Sequence, residues 1–190
     1  MGRLSPTIPL ALAALLSATP LAAQHYQCSI PRSVQVPQIR PDARPRVLPV
    51  SGYTLALSWS PEFCKPRKDQ PRHARQCDGR AGMFGLVVHG LWPDSARSWP
   101  QWCPTRRQPQ PRDLAANMCL SPSAALLARQ WTKHGACMAR KPATYFKVMR
   151  ILWEGLRIPD YDRVSREDGL TAGTIRMRFV DANPGWSREA

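Results

Sequence analysis

The 190-residue chain is short of acid: 13 Asp and Glu stand against 27 Lys and Arg, a formal net charge of +14. It also lacks any uninterrupted apolar run of the ~18–20 residues that cross a bilayer as a helix, which excludes an integral helical membrane protein. There are only four histidines, no C-x-x-C pair and no His cluster, so a zinc-binding domain has nothing to stand on. No internal repeat is visible, which argues against a solenoid or propeller. A charged fraction of 21%, broken up by Trp, Leu and Val, is too low for a wholly disordered polyelectrolyte. What remains is one ordinary basic domain.

The basic surplus is unevenly placed. Residues 24–150 hold 20 basic and 6 acidic side chains, whereas 151–190 hold 6 and 7. Such a surplus attracts polyanions by counterion release and long-range steering, and charge alone leaves nucleic acid, anionic glycan and anionic membrane surfaces open. Residues 1–23 have the three parts of a secretory signal peptide: Arg3 near the start, an apolar stretch from Leu10 to Leu16, and the small pair Ala22-Ala23 at the exit. Export to the periplasm or medium is therefore expected, with no membrane attachment after cleavage. All six cysteines lie after residue 23, and an even count in an exported chain fits a disulfide framework.

Residues 24–50, rich in Pro and Arg and without period, predict an extended or poorly ordered arm ahead of one domain over 51–190. Tyr53 to Trp59 alternates and predicts a strand, and Met83 to Val88 predicts a second, stopped by Gly90 and Pro93. Ser121 and Pro122 open a helix expected to run to about His134 and stop at Gly135. A second helix is expected through Tyr145–Trp153 and a third from Thr171 or Thr174 to the Asn183-Pro184-Gly185 stop. Strands followed by helices without strict alternation point to an α+β domain.

Two of the four histidines fall at element ends beside glycine, His89 after a strand and His134 after a helix. Imidazole titrates near neutral pH unaided, so such a pair suits acid and base catalysis. Gln130, Lys133 and His134 fall at i, i+3 and i+4 and share a helix face that carries an amide, a cation and an imidazole. An equally simple account of that face is a solvated helix C-terminus, where Lys and His complement the dipole.

His89-Gly90-Leu91-Trp92-Pro93-Asp94 and Trp131-Thr132-Lys133-His134-Gly135-Ala136-Cys137 resemble the two catalytic segments of the ribonuclease T2 family, secreted endoribonucleases of low base specificity. Tyr53–Cys64 is similar to that family's first core strand, and Phe179–Gly185 to a later helix end. The resemblance implies metal-independent and cofactor-free cleavage of single-stranded RNA by a monomer. In that reaction the ribose 2′-OH attacks phosphorus to give a 2′,3′-cyclic phosphate, so DNA, which lacks this hydroxyl, is not a substrate. It assigns His89 and His134 as the proton carriers, with His134 the first base, and Lys133 as the cation on the phosphoryl oxygens. It places Trp92 and Asp94 at a base-holding position. Family-like spacing pairs Cys103 with Cys137; proximity then suggests Cys64 with Cys77, and elimination leaves Cys28 with Cys119. The basic loop 65–75 between Cys64 and Cys77 would guide RNA or simply be solvated.

Two departures from the family bear on activity. Relatives carry a glutamate directly before the tryptophan of the second motif, often preceded by a histidine, where this chain has Arg129-Gln130. An amide cannot move a proton at neutral pH, and loss of such assistance costs about 10²–10⁴ in rate, so an attenuated enzyme is expected, with Arg129 keeping a phosphate contact. Relatives also continue past the Asn183-Pro184-Gly185 stop into further strands. The implied fold is thus α+β, an antiparallel sheet packed with several helices and stapled by disulfides, with its C-terminal strands missing. The alternative function is a catalytically inactive RNA-binding relative, and a third is a basic exported structural or glycan-binding domain.

Overall fold

A computed structural model describes residues 25–186, so the expected leader over 1–23 lies outside the described residues. The strands are β1 (His25–Tyr26), β2 (Gly52–Trp59), β3 (Met83–Phe84) and β4 (Leu86–Asp94). The helices are α1 (Ser60–Cys64), α2 (Ala74–Cys77), α3 (Pro111–Ala115), α4 (Ala124–Lys133), α5 (Pro142–Glu154), α6 (Tyr161–Val164) and α7 (Ala172–Ala182). β2 and β4 pair antiparallel from Gly52 opposite Asp94 to Trp59 opposite Leu86, and β1 pairs antiparallel with β3. The fold is α+β, with one long strand pair covered by helices on the side where the core lies.

That core is built from alternate faces of β4 and single stripes of the helices. Val88 and Leu91 of β4 meet Leu127 and Trp131 of α4 and Tyr145, Phe146, Met149 and Trp153 of α5. The α5 residues fall at i, i+1, i+4 and i+8, the spacing of one helical face. Pro142 occupies the first turn of α5, where its missing N–H leaves nothing unsatisfied.

The strand from Met83 does not stop at Gly90 and Pro93 as its pattern predicts. It breaks once at Gly85 and then runs through both residues to Asp94. The reason is that, among the described residues, β4 borders helices instead of a further strand on its second side. The Tyr145 hydroxyl donates to the Leu91 carbonyl (3.1 Å) and accepts from the Leu91 N–H (3.2 Å), so the polar groups of Leu91 point away from β2. Pro93, two residues on, has its nitrogen on the same outer side, where no ladder hydrogen bond is lost.

The expected helix start also moves. Ser123, not Ser121, caps α4 by accepting from the Leu126 N–H (3.2 Å), while Ser121 is buried ahead of the helix. The cap position demands an extended residue whose hydroxyl reaches a free N–H, and Ser123 has that backbone (φ −140°, ψ 110°). The third helix begins where Thr171 caps it. Asn183 then ties its end to the chain leaving α5: Oδ1 accepts from the Arg157 N–H (2.8 Å) and Nδ2 donates to the Arg157 carbonyl (2.7 Å).

Disulfides join Cys28–Cys119, Cys64–Cys77 and Cys103–Cys137. The first anchors the Pro/Arg-rich arm. Apart from β1, that arm is extended and forms no helix, yet it is docked: Val34 is buried in the main core and Arg46 exchanges backbone hydrogen bonds with Gln101 (2.8 and 3.0 Å). Among the described residues β2 has β4 as its one strand neighbour, and an apolar cleft of about 900 Å³ opens beside it against Leu156 and Phe179. No helix among the described residues is long and apolar enough to cross a membrane.

Because the Tyr145 hydroxyl takes the place of a neighbouring strand for Leu91, its removal strands a buried N–H and a buried carbonyl. Tyr145→Phe is expected to lower unfolding free energy by about 1–3 kcal/mol. Urea titration followed by tryptophan fluorescence checks this.

Candidate active site

The two motif histidines arrive from different elements, and each placement has a local cause. His134 is the residue after α4, with φ −118° and ψ −50°, where the helix gives way to a tight turn over Gly135–Cys137. Gly135 permits that turn to press on the core, since a Cβ there would lie 2.7 Å from Trp131 Cε3 and 2.8 Å from Tyr145 Cγ. His134 is 7% exposed and Gln130 only 4%. The face that carries them is therefore not a solvated helix end but an inner wall.

His89 owes its direction to a β-bulge. Ala56 pairs with Gly90 and Leu57 with Val88, so His89 is the extra residue of β4 between two paired neighbours. A bulge rotates one side chain out of the strict alternation. His89 is thereby brought edge-on to Trp92, three residues ahead, with ring centroids 5.7 Å apart at 84°. The Trp92 ring also meets His134, again at 5.7 Å and tilted by 34°. One indole thus lies against both imidazoles. His89 Nδ1 is 3.4 Å from Ser58 Oγ, a polar contact that the neighbouring strand supplies.

Gln130 closes this wall. Its Oε1 accepts from Trp92 Nε1 at 2.8 Å, and the side chain lies so close to β4 that a Cβ on Gly90 would come within 2.1 Å of Oε1 and 2.6 Å of Cδ. Gly90 is therefore needed for close approach of strand and helix. The Gln130 amide is spent on orienting the indole.

The cations form a second layer. Lys133 Nζ lies 6.0 Å and Arg129 Cζ 5.3 Å from the ring centroid of Trp102, and the backbone N–H of Trp102 donates to the Lys133 carbonyl at 2.7 Å. Arg129 also holds Asp42 of the arm at 2.5 Å, and the guanidinium keeps that carboxyl below its ordinary range. Trp102 and Asp42 are site neighbours that sequence reasoning misses, because nothing in their local pattern links them to residues 27–87 positions later. Of the remaining expected residues, Asp94 lies at the end of β4 and accepts from Thr54 Oγ1 at 2.7 Å. The loop 65–75 lies within the Cys64–Cys77 closure, with Arg67 stacked on Phe63 at 4.5 Å and Lys65 3.8 Å from Glu62.

Burial and like charge set the electrostatics. Desolvation first, then Lys133, Arg129 and His89, push His134 down from 6.5 to about 4. Burial alone lowers His89 as well. His134 is accordingly neutral at neutral pH and its Nδ1 is buried without a protein partner, which leaves an imidazole able to take a proton. Among the described residues no group of three or more His, Cys, Asp and Glu is placed to hold a metal ion.

The Ribonuclease T2 family profile matches residues 51–161, more than half of the chain. The chain belongs to the ribonuclease T2 family. A probable ribonuclease of Haemophilus influenzae is 34% identical over 131 residues, 63% of this chain and 48% of the relative. A ribonuclease of Aeromonas hydrophila is 40% identical over 85 residues, 45% of this chain and 36% of the relative. The chain thus spans about half or less of these curated relatives. Among solved structures, that of an RNase MC1 mutant in complex with 5′-UMP shares the fold at a TM-score of 0.55, with 18% identity over 70% of this chain and 74% of the other. The matched span includes both histidines, Lys133, Gln130 and the Cys103–Cys137 bridge of this family member.

Gly90→Ala is expected to drive Gln130 off Trp92 and to cost about 1–3 kcal/mol, the usual penalty of overpacking. Combining it with Gln130→Ala should return most of that loss. A double-mutant cycle by chemical denaturation measures the coupling.

Proposed function

We propose that the protein is an exported endoribonuclease that cleaves single-stranded RNA through a 2′,3′-cyclic phosphate, attenuated by the amide at position 130. The observation that carries this reading is the pair of half-buried to buried imidazoles, His89 and His134, set against one indole with Lys133 at the end of α4. In this proposal His134, held neutral, takes the proton from the ribose 2′-OH. The 2′-oxygen attacks phosphorus, and the bond to the 5′-oxygen breaks as His89, in its cationic form, protonates it. Lys133 stabilises the charge on the non-bridging phosphoryl oxygens as a point cation. Trp92 offers an aromatic face to a base, a contact that tolerates all four bases, and Asp94 accepts from an exocyclic amino group.

Gln130 supports the attenuation. A carboxylate at this buried position would face His134 on the same wall and favour its cationic form, and it could itself move a proton; the amide does neither. The same feature favours the second reading, an RNA-binding relative without catalysis, since Gln130 is committed to Trp92. RNA that is retained but never cut would decide for it.

The expected pH profile follows from the two lowered imidazoles. The base is lost as pH falls through about 4, where His134 takes up its proton, and the acid is lost as pH rises through a value below 6.5, where His89 gives its proton up. The optimum should therefore lie on the acidic side, between these limbs. Digestion of single-stranded RNA by the oxidised protein in chelator, with DNA as control, provides the test. His89→Ala and His134→Ala should each lower kcat by about 10²–10⁴. Gln130→Glu should raise the rate and move the lower limb above 4, because a nearby anion raises an imidazole pKa. Cleavage that survives in both histidine variants would remove the proposed mechanism.

A further inference from the structure

Beside the turn that carries His134 lies a second cleft, of about 490 Å³, which the reaction described above does not use. One wall is the segment from Pro104 to Arg107 that follows Cys103; the other is the segment from Ala136 to Arg140 that follows His134 and Gly135. Three guanidinium groups, Arg106, Arg107 and Arg140, line it, and all three residues are exposed. Six ion pairs occur among the described residues, and none involves these three arginines. The local charge is thus uncompensated.

The walls are fixed relative to the catalytic turn. The Cys103–Cys137 bridge joins them directly. Trp131 of α4 donates from Nε1 to the Arg107 carbonyl at 2.8 Å, and the Arg107 N–H is held by Thr105 Oγ1 at 3.1 Å. The helix that delivers Lys133 and His134 therefore also holds the arginine wall. Guanidinium groups are suited to phosphate because their donors form a planar fork and their charge does not titrate away.

We propose that this cleft binds a flanking phosphodiester of the RNA strand, a subsite for a nucleotide beyond the scissile bond. The inference rests on the ribonuclease reading. A strand whose scissile phosphate sits at Lys133 and His134 passes over the Ala136–Arg140 turn on one side only, so chain extended in one direction gains the contact and chain extended in the other does not. The cleft adds affinity and register without sequence preference, as phosphate contacts do.

The test compares a dinucleoside monophosphate with hexanucleotides extended on the 5′ side or on the 3′ side of the same scissile step. For the unaltered protein kcat/KM should rise by about tenfold for one extension only, and the advantage should fall steeply with salt. Arg106→Ala combined with Arg140→Ala should abolish that advantage and leave dinucleotide cleavage within about twofold, with a shallower salt slope. Arg140→Lys, which keeps the charge but loses the fork, should fall between. A double variant that keeps the full length advantage, or one that loses dinucleotide cleavage to the same degree, would overturn the subsite. If the unaltered protein cleaves no substrate, the ribonuclease reading fails instead. Binding of the 2′-deoxy hexamers, which cannot be cut, then still tests the cleft: equal affinity for the parent and double variant would rule it out.

Discussion

The site depends on the close approach of β4 to α4 at Gly90 and Gln130. A side chain at position 90 would occupy the space of the Gln130 amide, so the absence of a Cβ sets how near strand and helix can come. That separation decides whether the indole of Trp92 can reach Gln130 Oε1 and whether the imidazoles from the two elements can share its ring. The Tyr145 hydroxyl, bonded to both polar groups of Leu91, holds the strand one residue further along, and Gly135 lets the following turn settle on Trp131 and Tyr145. Strand, helix and turn are therefore fixed against one another within a few residues of each histidine. The supporting contacts are buried and largely satisfied, which is what a preorganised proton-transfer site requires.

Much of this was legible from residue type and order. The two histidine segments stand out because each combines His, Gly and Trp with neighbours that matter individually, and their α+β setting follows from alternation in Tyr53–Trp59 and from helical spacing after Ser123. The course of β4 was not legible, for a physical reason. Gly90 and Pro93 end strands when both edges are paired, but a strand whose second edge is met by a tyrosine hydroxyl tolerates a missing N–H there, and a glycine can mark contact as well as termination. The bulge at His89 is a matter of register between β4 and β2, a relation that no local window contains.

The cationic layer was half legible. Lys133 and Arg129 could be placed on α4 by spacing, but their common neighbour Trp102 lies across the Cys103–Cys137 closure and Asp42 lies on the arm. Proline-rich composition predicts extension and says nothing of docking; here the extended conformation suits docking, because it lets Val34 reach the core while Asp42 reaches Arg129. The Cys28–Cys119 bridge keeps that arm on the body of the domain.

The placement of acids gives the basic surplus its direction. Between residues 24 and 150 five of the six carboxylates are engaged: Asp42 with Arg129, Glu62 with Lys65, Asp78 with Arg80, Asp94 with Thr54, and Asp113 at the start of α3, where it accepts from the Gln110 N–H. Carboxylates committed in this way neutralise one cation each or none. The arginines that line the cleft beside the Cys103–Cys137 bridge take part in none of the ion pairs among the described residues, and Lys133 and Arg129 both act on His134. A uniformly basic surface would hold a polyanion anywhere. In the proposed reaction these cations meet the phosphate, and they also lower the proton affinity of His134, because the cations that attract a phosphate disfavour an imidazolium. The same charges thus favour a phosphate and keep His134 unprotonated, while making its imidazole a weaker base.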